Sequence, residues 1–329
     1  MTDSRAGYAL GIDIGGTKIA GGVVAADGTV LARARALTPD RSTSPGVVED
    51  IIVGVASDLL AQVRRSEVVA VGIGAAGFVC ADRATVVFSP HLSWRHEPLR
   101  EALARRIEVP IVIDNDANAA GWAESRFGAA RDESHAVALT VGTGIGGAIL
   151  LEGAVVRGRF GIAGEFGHMR LVPGGHRCEC GNRGCWEQYA SGNALVRGAK
   201  GLMYAESLDA RDLLDRVGGD PERLTGPLVT EAAQQGDRAA LGLLADVGDW
   251  LGIGMATLAA ALDPGMFVIG GGVSAAGELL LGPARTSFRR HLVGRGHRPE
   301  AAIVLASLGN DAGLIGAADL ARNAVEGRG

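Results

Sequence analysis

A pattern occurs twice in this chain. An apolar run ends in a glycine turn, a second apolar run follows, then another turn and a third run, and after these come alternating helix-period and strand-length segments. In the first copy the runs are residues 8–14, 19–25 and 29–37, separated by Gly15-Gly16 and Asp27-Gly28. An Asp-Gly pair between apolar runs is a hairpin signal, so three antiparallel strands are expected. A helix is expected over residues 45–64, with Pro45 in its first turn. Next come a strand at 68–73, a helix near 98–106, a strand at 110–113 and a helix after Asp116. The second copy starts near His135, runs into Gly142-Thr143-Gly144, and continues with strands over 145–151 and 154–159. Helices dominate from 191 to 262, followed by a strand at 266–269, the run Gly270-Gly271-Gly272, a helix, a strand at 302–306 and a last helix near 311–322. A duplicated βββαβαβα unit implies an α/β protein of two like-folded lobes around a cleft, each with one glycine hairpin. The expected division is a small lobe of residues 1–118 plus 312–329 and a large lobe of 119–311. A length of 329 residues suits two domains.

Composition narrows the function classes. Aromatics make up only 4% of a chain that is 47% hydrophobic, so the core must be built from Ala, Val, Leu and Ile. A net charge of -5 provides no basic face for nucleic acid. The basic residues between Arg285 and Arg298 read as a solvated helix face. The first residues lack the pattern of a secretory leader, and the apolar stretch 251–262 is too short to span a bilayer. A cytoplasmic protein without a membrane partner is the expectation.

Three glycine-rich segments follow apolar runs. In Asp13-Ile14-Gly15-Gly16-Thr17-Lys18 the backbone N–H groups of the turn suit phosphate oxygens, Thr17 adds a hydroxyl, and Asp13 is placed to hold Mg²⁺ through water. A lone Gly-Gly-Thr is more often a plain hairpin turn. Here it is repeated at Gly142, Thr143 and Gly144, and Gly270, Gly271 and Gly272 follow a third buried strand. None is a Walker A loop, since no Lys follows the required glycine spacing. Two phosphate hairpins and a nucleotide loop account for all three.

Asp114-Asn115-Asp116 ends one strand and opens a helix. One such residue suffices for an N-cap. Three together at the carboxyl end of a strand lie where α/β proteins bind ligands. Further on, Glu165-Phe166-Gly167-His168 precedes Cys178, Cys180 and Cys185, the last followed by Trp186-Glu187. One imidazole and three thiolates make a closed tetrahedral zinc site with a structural role. Three clustered cysteines cannot all pair as disulfides, and the expected compartment is reducing. Cys80 is left as an ordinary core residue.

Together these motifs resemble the ROK sugar kinases, a family named for repressors, open reading frames and kinases, and in particular its actinobacterial glucokinases. The resemblance covers nearly the whole chain. It implies the actin-like, ribonuclease H-like sugar kinase fold. It also implies Asp116 as catalytic base, sugar hydroxyls held by Asn115, Asp116, Glu165, His168 and Glu187, and zinc bound by His168, Cys178, Cys180 and Cys185. ATP with Mg²⁺ lies on the glycine turns, glucose is the acceptor, and a homodimer or homotetramer is expected. Other hexoses, N-acetylhexosamines, or polyphosphate as donor fit the same motifs. A sugar-sensing repressor of the same family would carry a DNA-binding helical module before the first strand, where this sequence has only a handful of residues.

Overall fold

The computed structural model describes residues 7–327, so the polar residues 1–6, read above as lacking a leader, lie outside the described residues. The chain begins with β1 (Tyr8–Ile14), β2 (Lys18–Val24) and β3 (Val30–Leu37), followed by α1 (Pro45–Leu60) and β4 (Val68–Ala75). Three short strands come next, β5 (Phe78–Val79), β6 (Val86–Phe88) and β7 (Arg95–Glu97), then α2 (Leu99–Ala104), β8 (Ile111–Asn115) and α3 (Asp116–Phe127). The second copy opens with β9 (Ala136–Val141), β10 (Ile145–Leu151) and β11 (Ala154–Val155). It continues through α4 (Glu187–Ala190), α5 (Gly192–Tyr204), α6 (Arg211–Arg216), α7 (Gly226–Gln234), α8 (Arg238–Leu262), β12 (Met266–Gly270), α9 (Glu278–His291), β13 (Ala302–Leu305) and α10 (Ala312–Val325).

The two five-stranded sheets have matching orders, β3-β2-β1-β4-β8 and β11-β10-β9-β12-β13. In the first, β1 and β2 are antiparallel, whereas β4 runs parallel to both β1 and β8. In the second, β12 is likewise parallel to β9 and β13. The duplication expected from the glycine turns is thus present in the strand order. Its third strand is a stub: β11 has two residues where 154–159 was expected, because Arg157 turns away to pair with Asp114 at 2.7 Å. The β5-β6-β7 hairpin array was not expected; strands this short carry no readable period.

The chain forms two compact units. One holds the residues up to Ser134, Ala148–Gly164 and those from Ser307 on; the other holds His135–Gly147 and Glu165–Ala306. These boundaries differ from the expected ones at 118 and 311. The reason lies in α3, whose whole length packs on α10: a Cβ at Gly316 would fall 1.8 Å from the Ala119 carbonyl oxygen.

In the first unit, α1 lays Val48, Ile52, Val55, Ala56 and Leu59 against Ile12, Ile14, Ile19 and Val23. On another cluster of the same unit, Leu314, Ile315 and Ala318 of α10 meet Ala9, Val24 and Ala123. Glycine within the strands is what lets α10 come so close. A Cβ on Gly11 would lie 1.7 Å from the Leu314 carbonyl oxygen, and one on Gly72 1.8 Å from that of Ala317. Part of the glycine richness therefore serves helix–sheet packing rather than turns.

In the second unit, α8 is 25 residues long, so length alone does not keep it from crossing a bilayer, contrary to the expectation drawn from residues 251–262. Its packing accounts for its apolar character. Gly248 and Gly252 bring it onto α9, where a Cβ would lie 2.7 Å from the Leu280 oxygen and 2.5 Å from the Ala284 oxygen. Four of the five arginines of 285–298 are paired: Arg285 with Glu278, Arg289 with Glu300, Arg290 with Asp249 and Arg298 with Asp263.

Candidate active site

In the first unit the parallel strands β1, β4 and β8 align Asp13 with Gly74 and Gly74 with Asp114, so their carboxyl ends share one edge of the sheet. Ligands in open α/β sheets bind at such an edge. The chain then turns tightly from β1 into β2, with the Gly15 amide donating to the Lys18 carbonyl at 3.0 Å. Thr38 braces the turn by donating its hydroxyl to the Gly15 carbonyl at 2.7 Å. The Gly16 and Thr17 amides meet no acceptor among the described residues, and Gly16, Thr17 and Lys18 are exposed.

Asp13 and Asp116 form a pair of electrostatically linked carboxyls. Burial pushes Asp13 up to about 7, the Asp116 charge adds to the rise, and Lys18 opposes it. The enclosure comes partly from α10, since a Cβ on Gly313 would fall 2.7 Å from Asp13 Cγ. Burial also raises Asp116 above the ordinary carboxylate range, against hydrogen bonds from the Ala117 amide, its own amide and Asn115, and against the charge of His91. A buried carboxylate with a raised pKa suits proton acceptance.

The three residues read as one motif have three different surroundings. Asn115 is the N-cap of α3, its side-chain oxygen accepting from the Asn118 amide at 3.0 Å. Its Nδ2 donates to the Gly77 carbonyl and to Asp116 Oδ1, each at 3.1 Å. What remains to Asn115 is one acceptor lone pair. Asp114 is buried and holds two arginines: Oδ2 lies 2.7 Å from Arg157 Nη2 and 3.2 Å from Arg83 Nη2. It also accepts from the Asn115 amide at 3.0 Å and from Asn118 Nδ2 at 3.2 Å. Only Asp116 is not consumed by such structural duties.

In the second unit, β9 leads into the turn Gly142–Gly144, whose ends close through the Gly142 amide and Gly144 carbonyl at 3.0 Å. Thr143 at its tip is exposed. The third glycine run packs on this turn. Gly271 has φ +86°, and a Cβ there would meet backbone atoms of Val141 at 2.5–2.7 Å, so both conformation and space require glycine. Ser274 closes the run by donating its hydroxyl to the Gly271 carbonyl at 2.7 Å. The sequence-expected Gly270 and Gly272 flank it.

His168, Cys178, Cys180 and Cys185 converge, with one ligand atom from each lying within 4.8 Å of the others. All four cysteines of the chain are free. The loop is wound tightly, the Cys178 amide donating to the Asn182 carbonyl and the Gly181 amide to the Cys178 carbonyl. His168 Nδ1 faces the cluster, 3.6 Å from Cys178 Sγ, which leaves Nε2 directed elsewhere. Burial first, then the Glu187 carboxylate among other neighbours, pushes the Cys178 thiol up; Cys185 is raised too, again chiefly by burial. Cys180, though desolvated, is lowered by the hydrogen bond from the Asn182 amide and by its thiol neighbours. This donor set, three thiols and an imidazole without an acidic ligand, fits zinc.

Glu187 connects the cluster to the glycine turn. Its Oε1 accepts from the Cys178 thiol at 3.1 Å and lies 3.6 Å from His168 Nδ1. Its Oε2 occupies the space a Cβ on Gly144 would need, 2.4 Å away. Glu165 precedes the short helical turn Phe166–His168 and accepts from the His168 amide through its carbonyl at 3.2 Å. The expected site residues therefore fall into two groups: Asp13, Gly15, Gly16, Thr17, Lys18, Asn115 and Asp116 in the first unit, and all the others in the second.

Sequence reasoning missed three participants. His91 lies against Gly16 and bears on Asp116; nothing in Ser89-Pro90-His91 marks it. Arg83 and Arg157 are separated from Asp114 by tens of residues and carry no motif. Cys80, expected in the core, is half-buried in the turn between β5 and β6.

A model of the ROK family matches residues 9–324. A glucokinase of Streptomyces coelicolor is 47% identical over 316 residues, 96% of this chain and 98% of that protein. The crystal structure of a ROK family glucokinase from Streptomyces griseus in complex with glucose and AMPPNP superposes with a TM-score of 0.88 at 47% identity, covering 96% of this chain and all of that one. A xylose repressor of Bacillus subtilis is 30% identical over 318 residues, 95% of this chain and 77% of the repressor. With the duplicated sheets described above, these likenesses establish that the chain belongs to the ROK family and has its actin-like sugar kinase fold.

Proposed function

We propose that the protein is an ATP-dependent glucokinase, transferring the γ-phosphoryl group of ATP to the 6-hydroxyl of glucose to give glucose 6-phosphate and ADP. The observation that carries this reading is the full-length match to the Streptomyces griseus glucokinase that binds glucose and AMPPNP. Asp116 accepts the proton of the attacking hydroxyl as the bond to phosphorus forms. Its buried, raised carboxyl at the start of α3 supports that role. Asn115 offers its remaining lone pair to a sugar hydroxyl. Glu165, Glu187 and His168 Nε2 hold other hydroxyls; with metal on the cluster the Cys178 thiol would be ionised and would no longer donate to Glu187 Oε1.

The amides of Gly16 and Thr17, the Thr17 hydroxyl and Lys18 take phosphate oxygens, as do Gly142, Thr143 and Gly144, and Gly270–Gly272 line the nucleotide. Asp13 would hold Mg²⁺ beside the nucleotide, and the ion would supply positive charge to the phosphates. Zinc on His168, Cys178, Cys180 and Cys185 is structural and fixes the loop that carries Glu187. A homodimer or homotetramer belongs to the same proposal, as does a cytoplasmic location.

The test is ADP release over a panel of glucose, mannose, N-acetylglucosamine, N-acetylmannosamine and xylose, repeated with polyphosphate while sugar phosphate is followed directly. Glucose with ATP is expected to give the highest kcat/KM. Another hexose or polyphosphate in first place overturns the specificity, and no sugar phosphate from any pair overturns the enzyme.

A further inference from the structure

We infer that His91 is a further catalytic residue of the phosphoryl transfer, its imidazole lying over the first glycine turn where it meets the group in transit. This rests on the kinase reading above. His91 stands at the tip of the segment 89–94, between β6 and β7. That segment is bolted down on every side. Ser89 donates its hydroxyl to the Ala76 carbonyl at 2.8 Å, and Ser93 donates to the Thr43 carbonyl at 2.5 Å. Arg95 donates to the carbonyls of Ser89 and Trp94 at 3.0 and 2.6 Å while its guanidinium stacks 4.2 Å from the Phe88 ring centre. Leu92 and Trp94 are buried in the core of the first unit. Amid these anchors the imidazole itself is exposed. These anchors hold a tip whose own side chain the fold does not use for packing.

What the tip reaches defines its chemistry. Three ring atoms of His91 lie 3.2–3.5 Å from where a Cβ on Gly16 would stand, so the ring rests on the turn whose Gly16 and Thr17 amides are open. His91 is also near enough to Asp116 that a positive imidazole there lowers that carboxyl. The other charged groups about this corner are Asp13 and Lys18. His91 thus neighbours both the proposed phosphate turn and the proposed base.

In the transfer, the bond from phosphorus to the ADP oxygen breaks as the bond to the sugar oxygen forms, and the hydroxyl proton passes to Asp116. Charge builds on the equatorial oxygens meanwhile. A preorganised N–H donor or cation at that point lowers the barrier, because it interacts more strongly with the transition state than with the ground state.

The experiment compares His91→Ala, His91→Gln and His91→Lys in the full-length protein. It measures kcat, KM for glucose and ATP, glucose affinity by calorimetry, and Tm. Alanine is expected to lower kcat about 10–100-fold, with glucose affinity within about twofold of wild type and Tm unchanged. Lysine restores part of the loss by returning the charge. Retention in the glutamine variant with loss in alanine supports the same contact made through an N–H donor. Wild-type kcat in the alanine variant overturns the inference, as does an equal loss in all three variants accompanied by a falling Tm. Formation of glucose 6-phosphate by the wild type in the same series separates the two readings: if it is absent, the glucokinase reading falls and His91 with it; if it is present and alanine has no effect, His91 alone falls.

Discussion

Two aspartates separated by one residue have opposite fates. Asp116 is a carboxyl kept from its ordinary pKa by burial, whereas Asp114 is committed to Arg83 and Arg157. Asp116→Asn keeps the shape and is expected to retain glucose binding by calorimetry while turnover falls about 10²–10⁴-fold. Asp114→Asn strands two guanidinium groups in a buried pocket and is expected to lose about 3–5 kcal/mol of stability by denaturant unfolding. Normal turnover in Asp116→Asn would remove it as the base. Asp13 adds a pH effect of definite sign. Its folded-state pKa is raised from 3.8 to about 7, so ionising it weakens the fold as pH rises through that window, and below about 4 the penalty is absent. Asp13→Asn should accordingly stabilise the metal-free protein at pH 8, by about 1–3 kcal/mol, and leave it nearly unchanged at pH 4. A Tm difference of the same size at both pH values would contradict this.

Among the elements, the segment 176–187 depends on its ligands more than on apolar packing. Cys178 and Cys185 are buried, but Cys180 and its neighbours are exposed. Stripping the metal with a chelator, or Cys180→Ala, is expected to raise amide exchange over residues 176–187 and to weaken glucose saturation by tenfold or more (about 1.4 kcal/mol) through displacement of Glu187. Elemental analysis showing a metal-free, fully active protein would defeat the zinc assignment. Strand β4 presents the opposite case, an element fixed by close approach. Gly72→Ala places a methyl 1.8 Å from the Ala317 carbonyl oxygen, forcing α10 off the sheet at an expected loss of about 3 kcal/mol or more.

For the whole molecule, the proposed sugar ligands lie in both compact units. Glucose is therefore expected to slow amide exchange around residues 115–118 and 165–187 together, and to raise the midpoint of thermal unfolding with a dependence on glucose concentration. Protection confined to one unit would remove the other unit's residues from the sugar site. Glu165→Ala should raise the glucose concentration for half saturation by about 1–3 kcal/mol equivalent while ATP saturation changes far less.

The sequence alone determined the duplicated succession of strands and helices, the two glycine turns and the cluster of one histidine and three cysteines, because each rests on local chemistry: a period of two, a residue that tolerates tight turns, and side chains close in the chain. His168 lies ten residues before Cys178, and Cys185 only seven after it, so proximity in sequence is proximity in space. The tertiary structure decided what depended on distant partners. Asp114 became structural only because Arg83 and Arg157 arrive from other segments. The unit boundaries followed from α10 packing on α3 across almost two hundred residues of chain. His91 reached Gly16 through a loop without periodicity, and the glycines of β1 and β4 proved to serve helix contact. Such features arise where backbone and side chains far apart in sequence exclude or pair with one another, and no local pattern records that.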